Sequence, residues 1–216
     1  MEERNSRYEL QQSRNGLTVP VINEVFLHSI YNPIKEAEAF AETHSKSLAY
    51  KNKIIVLGLG FGYHVEQLAK ILNRNHNSFE ILIVEPNSML VDDFISTRGF
   101  EDKNIKIINA PNVTDLFGSL DFVSYLMQKP AIIKHDASFI LNQEYYTQLL
   151  SYQAPKQINQ FGTILSENSK NIFSERSANT VNDYIDSIKS EKSIRNRNEF
   201  LLLALNEIRT TTVQGK

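Results

Sequence analysis

Three of the chain's eight glycines fall within five positions, at Gly58, Gly60 and Gly62. They follow a short apolar run and precede a segment with helical spacing. Glycines at such a strand-to-helix turn permit positive φ angles and let backbone N–H groups approach an anionic or polar ligand. Glu85 ends the next predicted strand, where a carboxylate can accept hydrogen bonds from ribose hydroxyls. We therefore predict that these three glycines and Glu85 bind a cofactor in one crevice.

The spacing around the turn restricts the ligand. A dinucleotide pattern, G-x-G-x-x-G, needs a third small residue at position 63, and the bulky Tyr63 stands there. The alternative spacing, G-x-G-x-G, is the one seen in class I S-adenosylmethionine-dependent methyltransferases. Those enzymes usually carry an acidic residue two positions before the first glycine, where this chain has Val56. The identity of the cofactor therefore stays open.

A second interpretation needs no ligand. The glycines can serve only a tight connection between a strand and a helix, with Glu85 as an exposed strand end. A single glycine-rich turn does not distinguish these interpretations.

Other ionisable residues are candidates for catalysis. His64, just inside the predicted helix, suits packing or capping better than acid–base chemistry. His135 and Asp136 end the fourth predicted strand, at the same crevice, and could act as acid and base, although a turn role is favoured. Asp92 and Asp93 are adjacent on a helix and face different directions. The sequence predicts a place to bind without a recognisable catalytic pattern, so whether the chain is an enzyme stays open.

Composition excludes several classes of function. The chain has no cysteine, hence no disulfide and no thiolate site, and its five histidines show no metal-binding spacing, so we expect no metal. A formal charge of −2 argues against nucleic-acid binding. No apolar run reaches the roughly 18 residues of a membrane helix. The N-terminus lacks the apolar core of a secretory signal, and we predict a cytoplasmic protein without membrane contact.

The order of predicted elements indicates an α/β fold. From Lys51 to Asp136, four short apolar strands alternate with helical segments, which predicts a Rossmann-like, half doubly wound and mainly parallel sheet. The third of these helices is predicted over 113–127. A lead-in helix precedes the sheet, with Asn32 as its cap and Pro33 at its first position. Beyond the sheet, only helical segments are predicted.

These elements predict three parts of the chain. Residues 1–20 hold few large apolar side chains and read as a weakly ordered lead-in. Residues 21–150 form the Rossmann-like domain, with one or two short strands before the lead-in helix. Residues 151–216 form a helical extension. Within that extension, an apolar stripe with the spacing i, i+3, i+4, i+7 predicts a helix; its members are Val181, Tyr184, Ile185 and Ile188.

Three segments resemble a known family. LHSIYNPIKEAEAFAE, KIIVLGLGFGYHVEQL and ILIVEPNSML are similar to the N-terminal domain of the motility accessory factor glycosyltransferases. The pairing of H-S-x-Y-x-P-x-x-E-A with a following L-G-x-G-x-G-Y-H is more specific than the glycines alone. The resemblance covers about residues 20–150, and INQFGTILSENSKNIF weakly resembles the helical link before the family's central domain.

The resemblance implies a role in protein glycosylation. That family is associated with attaching nonulosonic sugars to flagellin, and its central domain is held to transfer the sugar. It implies an accessory domain that handles a nucleotide-activated sugar, such as a CMP-sugar, or a partner such as flagellin or a glycosyltransferase. A divergent S-adenosylmethionine-dependent methyltransferase is the alternative. The motif pairing further suggests that Tyr31, Pro33 and Glu36 pack the lead-in helix against the glycine turn.

Overall fold

A computed structural model of the chain describes residues 7–153, 181–191, 199–200 and 202–204. The chain divides into two units, Met1–Tyr152 and Gln153–Lys216.

The first unit begins with three short antiparallel strands. They are β1 (Tyr8–Gln12), β2 (Thr18–Ile22) and β3 (Val25–Phe26). This sheet replaces the weakly ordered lead-in predicted for residues 1–20, of which the structure describes those from 7 onward. The prediction missed the hairpin because the strand β1 is mostly polar and partly exposed, and its order comes from pairing with the buried residues of β2.

The lead-in helix α1 (Pro33–Leu48) has the predicted start. The side chain of Asn32 caps it by accepting the Lys35 N–H at 3.0 Å, and Pro33 occupies the first helical position. Its buried face carries small side chains, Ala37 and Ala41, which permit close packing against the next helix.

Four parallel strands form the main sheet. They are β4 (Lys53–Leu57), β5 (Glu80–Glu85), β6 (Ile105–Asn109) and β7 (Ala131–Lys134). Their spatial order is β6-β5-β4-β7, with every neighbouring pair parallel. Along the chain, β5 and then β6 are added on one side of β4, and β7 is then added on the other side of β4. This order confirms the predicted Rossmann-like, half doubly wound α/β fold and places a topological switch point between β4 and β7.

Six helices complete the described part of the first unit. They are α2 (Tyr63–Asn75), α3 (Ser88–Thr97), α4 (Val113–Gly118), α5 (Leu120–Met127), α6 (Asp136–Leu141) and α7 (Gln143–Leu150). Alternate strand residues face opposite layers. Ile54 and Val56 belong to the core shared with α1, α2 and α3, whereas Ile55 and Leu57 belong to the core shared with α4, α5 and α7. Burial on both faces explains why the two central strands, β4 and β5, read as continuous apolar runs.

The prediction of a single helix over 113–127 is wrong in one respect. The helical segment breaks at Ser119, whose backbone is extended, into α4 and α5. Gly118 ends the first segment, and the Ser119 hydroxyl caps the second by accepting the Phe122 N–H at 3.5 Å. Glycine lowers helix propensity and serine favours the N-cap, so both residues favour the break.

In the second unit, the structure describes the helix α8 (Val181–Glu191). Tyr184, Ile185 and Ile188 of the predicted stripe are buried, and Leu202 and Leu203 pack against Tyr184 and Ile188. The segment INQFGTILSENSKNIF, which weakly resembles the helical link of that family, lies outside the described residues. None of the helices described in either unit has the length and apolar character needed to cross a bilayer.

Tyr63 connects the small antiparallel sheet to α2, because its hydroxyl donates to the Thr18 carbonyl at 2.9 Å. Replacing Tyr63 by Phe removes this bond and leaves the ring. We expect Tyr63→Phe to lower the free energy of unfolding by about 1 kcal/mol in urea denaturation. Tyr50→Phe is the matched control, since Tyr50 is 88% exposed. Equal stability of the two variants would show that the bond contributes nothing.

Candidate functional site

The glycine turn lies at the carboxyl end of the sheet, directly after β4. Glu85, the last residue of the neighbouring strand β5, reaches this turn: its Oε2 accepts the Leu59 N–H at 2.9 Å. The structure therefore brings the predicted glycines and the predicted carboxylate together. Sequence order alone had placed them at one edge of the sheet.

The Glu85 side chain is buried and bonded within the chain. It is 1% exposed, and its second oxygen, Oε1, accepts the Asn87 N–H at 3.0 Å. Burial raises the pKa of this carboxyl to about 7. The two N–H bonds act in the opposite direction and lower the pKa, because they favour the charged form. Glu85 thus holds together the turn after β4 and the turn after β5. The expectation of an exposed strand end does not describe it.

The chain's own side chains occupy the space beside each glycine. A Cβ at Gly58 would overlap the side chain of Ser138, and one at Gly60 would lie 2.5 Å from His28 Nε2. At Gly62 it would lie 2.7 Å from the Phe94 ring. Only a residue without a side chain fits at these distances. The close approach that the glycines permit is made here by internal groups.

The backbone N–H groups of the turn are also largely used. A nucleotide-binding turn presents such donors to phosphate or ribose oxygens. Here four of them donate within the chain: Gly58 to the Val84 carbonyl, Leu59 to Glu85, Phe61 to His28 Nε2 and Gly62 to the Leu59 carbonyl. The contact between Phe61 and His28 measures 2.9 Å.

The two aromatic residues of the turn are buried as well. Phe61 and Tyr63 are each 2% exposed. The Phe61 ring packs edge-on against Phe94, with 5.7 Å between centroids, and the Arg98 guanidinium lies 3.9 Å from the centroid of the Tyr63 ring. A ligand at this turn would have to displace these contacts. Cofactor binding by Gly58, Gly60, Gly62 and Glu85 stays a prediction.

Three histidines meet behind the turn. His28, His64 and His135 are 3%, 1% and 7% exposed, and the ring centroids of His64 and His135 lie 4.1 Å apart in a stacked arrangement. His28 lies 4.9 Å from His135 and 5.5 Å from His64. Burial lowers the pKa of all three imidazoles, which are therefore neutral at pH 7.

The other acidic candidates lie apart from this cluster. Asp136 begins α6 and is exposed, whereas the neighbouring His135 is buried and contacts the Ser138 hydroxyl through Nδ1 at 2.8 Å. The two therefore do not form the acid–base pair considered from the sequence. Asp92 and Asp93 lie on α3 and, as the helical spacing predicted, do not form a carboxylate pair.

Sequence reasoning missed His28 as a site residue. It belongs to the upstream HSIYNPIKEA segment, far from the glycines in sequence, and the pairing of that segment with GYH was the signal that could have identified it. Within this segment, His28 contacts the glycine turn through the Phe61 N–H. Glu36 lies behind His28, with its Oε2 at 3.4 Å from His28 Nδ1. Tyr31, by contrast, is 57% exposed and lies against the Arg14 guanidinium, so the suggested packing of Tyr31 on the turn is wrong.

Comparisons with known proteins give matches among solved structures only. No protein-family model matches the chain, and no curated protein matches it. Spermidine synthase from Thermotoga maritima aligns with 15% identity and a TM-score of 0.42, over 55% of this chain and 40% of that one. MnmC2 from Aquifex aeolicus aligns with 12% identity and a TM-score of 0.34, over 59% and 58% of the two chains.

A third structure aligns over a longer range. The plantazolicin methyltransferase BamL, in complex with a triazolic desmethylPZN analog and SAH, has 13% identity and a TM-score of 0.26, over 85% of this chain and 78% of its own. The alignment with spermidine synthase covers 40% of that enzyme, so this chain spans less than half of the enzyme's length.

The packing at Gly58 can be separated from its backbone conformation. Both Gly58 (φ +106°) and Gly16 (φ +77°) have positive φ, but a Cβ at Gly16 would meet open space. We expect Gly16→Ala to cost about 1 kcal/mol of unfolding free energy from strain, and Gly58→Ala about 2–5 kcal/mol, because overlap with Ser138 is added. Thermal and urea denaturation measure both values. Equal losses would contradict a turn closed by Ser138.

The raised pKa of Glu85 predicts a pH dependence of stability. The folded carboxyl keeps its proton up to about pH 7, whereas the unfolded one releases it near 4.5. The stabilisation from this proton is complete below pH 4.5 and is lost as pH rises to about 7. We expect the stability of the wild type relative to Glu85→Gln to fall by about 3 kcal/mol over this range.

Urea denaturation of both proteins between pH 4.5 and 7.5 measures that difference. The buried histidines change stability with pH in the opposite direction, because their pKa values are lowered. They are present in both proteins, so their contribution cancels. A difference that does not vary with pH would contradict the raised pKa of Glu85.

Proposed function

We propose that this chain is a Rossmann-like accessory module of the motility accessory factor type, acting in the cytoplasm in the glycosylation of flagellin or another surface protein. One observation carries the proposal. The turn that the resemblance singles out is closed by the very histidine, His28, that the resembling upstream segment supplies.

This contact gives the paired motifs a physical reason. His28 accepts the Phe61 N–H through Nε2, so its proton lies on Nδ1, toward Glu36. Glu36 also accepts the Ser29 N–H at 2.8 Å. The HSIYNPIKEA segment and the GLGFGYH turn therefore act as one unit that connects α1 to the main sheet. Such a unit stabilises a domain interior and leaves few donors for a ligand.

In this role the sugar-transfer chemistry belongs to another domain or chain. The module binds a protein partner, either a flagellin-like acceptor or a glycosyltransferase, and the nucleotide-activated sugar is handled elsewhere. The use of four turn N–H groups within the chain supports this assignment, since a phosphate or ribose bound there would need those donors.

A second candidate is an S-adenosylmethionine-dependent methyltransferase. The position of Glu85 favours it, because a carboxylate at the end of the second strand of such a sheet can accept bonds from ribose hydroxyls. Binding would require Glu85 to release the Leu59 and Asn87 N–H groups and turn toward the ligand.

Calorimetric titration separates the two candidates. We expect no binding of S-adenosylhomocysteine, CMP or a CMP-sugar to the full chain. Micromolar binding of S-adenosylhomocysteine that is lost in Glu85→Gln would contradict the accessory role and support the methyltransferase. Glu80→Gln is the matched control, because Glu80 lies at the other end of β5 and pairs with Lys53 on the surface.

The partner is tested separately with purified proteins. We expect the full chain to co-elute in size-exclusion chromatography with the flagellin, or with the glycosyltransferase for nonulosonic sugars, encoded in the same genome. Separate elution from both proteins at micromolar concentrations would contradict the accessory role.

A further inference from the structure

Three segments distant in sequence each supply one histidine to the same buried point. His28 precedes α1, His64 lies in the first turn of α2, and His135 follows β7. One side-chain nitrogen from each lies within 4.8 Å of the other two. This point lies beside the topological switch point between β4 and β7, next to Gly60 of the glycine turn.

One nitrogen of the cluster has no hydrogen-bond partner. His64 Nε2 contacts the Gly58 carbonyl at 3.2 Å and must donate to it, which leaves Nδ1 as a lone-pair acceptor. His64 Nδ1 is buried and makes no hydrogen bond in the structure. A buried acceptor without a partner is unfavourable, and an imidazole nitrogen of this kind is a metal ligand in its free state.

One nitrogen of each ring is held by a group outside the cluster. His28 Nδ1 faces the Glu36 carboxylate at 3.4 Å, His64 Nε2 faces a backbone carbonyl, and His135 Nδ1 contacts the Ser138 hydroxyl at 2.8 Å. A carboxylate or carbonyl on the second nitrogen is the arrangement that orients histidine ligands in metal sites. It sets which nitrogen of each ring is left to bind an ion.

We propose that His28, His64 and His135 bind a divalent transition metal ion, of which Zn²⁺ fits an all-imidazole set best. Imidazole nitrogen suits zinc, and three histidines leave a fourth position for water or another ligand. The ion joins the segment before α1, the helix α2 and the end of β7. This role is independent of the proposed partner.

Binding changes the local geometry in a defined way. A tetrahedral zinc ion with Zn–N bonds of about 2.0–2.1 Å places its ligand nitrogens about 3.4 Å from each other. In the structure, one nitrogen of each ring lies within 4.8 Å of the other two. The ion also lies in the plane of each ligating ring, so the stacked rings of His64 and His135 cannot both bind it without one turning. His28 Nε2 exchanges its bond with the Phe61 N–H for the ion.

The site is tested first on the chelator-treated full chain. We expect isothermal titration with ZnCl₂ to give one ion per chain with submicromolar affinity. Addition of CoCl₂ should give the visible absorption of tetrahedral Co²⁺ with nitrogen ligands. The spectrum needs no variant, so a histidine substitution that fails to fold does not affect this test. Absence of Zn²⁺ binding, or of the Co²⁺ spectrum, would overturn the proposal.

Variants assign the ion to the cluster. We expect His64→Gln to weaken Zn²⁺ binding at least about 100-fold, and Glu36→Gln, which removes the carboxylate behind His28, to weaken it about 10-fold. Two controls leave the cluster intact: His44→Gln, for a histidine outside it, and Glu38→Gln, for an exposed carboxylate on α1. Unchanged affinity in His64→Gln, or a loss in the controls equal to that in His64→Gln, would assign the ion to another place and overturn the proposal.

Discussion

The hydrogen bond from the Phe61 N–H to His28 Nε2 is the contact on which the arrangement at the end of the sheet depends. It brings the segment before α1 over the turn after β4, and at Gly60 it leaves no room for a side chain. It also sets the protonation of His28, whose other nitrogen then faces Glu36 on α1. One bond thus couples the lead-in segment, the glycine turn and the lead-in helix. The remaining contacts of the turn are arranged around it.

The free energy of buried polar groups explains why such a turn stays closed. Each N–H left without a partner in the interior costs about 1–3 kcal/mol, and the turn meets this requirement with Glu85 and His28. A nucleotide that entered would have to replace both acceptors and move Phe61 and Tyr63 from buried positions. The glycines therefore serve close packing among the chain's own groups.

Much of the fold could be predicted from the sequence. The four apolar strands and the cap at Asn32 are local signals, and the structure contains each of them. The strand β1 was missed because it is mostly polar and its order comes from pairing with β2, whereas β2 and β3 fall where one or two short strands were predicted. The break at Ser119 was missed because an apolar pattern crosses it, while a glycine and a serine end one helix and cap the next.

The site was only partly accessible from the sequence. The proximity of Glu85 to the turn followed from strand order, but its burial did not, because that depends on the Asn87 N–H and on neighbouring layers. The histidine cluster could not be derived from spacing. His135 reaches His64 only because β7 pairs with β4 in register, with Leu57 opposite Lys134. His28 reaches both through the contact with Phe61. Such contacts between distant segments depend on tertiary structure and leave no periodic pattern in the sequence.

The most direct test of the closed turn is amide hydrogen exchange of the chelator-treated, ligand-free protein, resolved at Leu59 and Phe61. We predict that both amides exchange as slowly as those of Ile55 and Val56 in β4, because their acceptors are internal and buried. We also predict that S-adenosylhomocysteine or CMP leaves both rates unchanged. Fast exchange at Leu59 and Phe61 that slows on addition of either compound would contradict a closed turn, since the donors would then be free to bind a ligand.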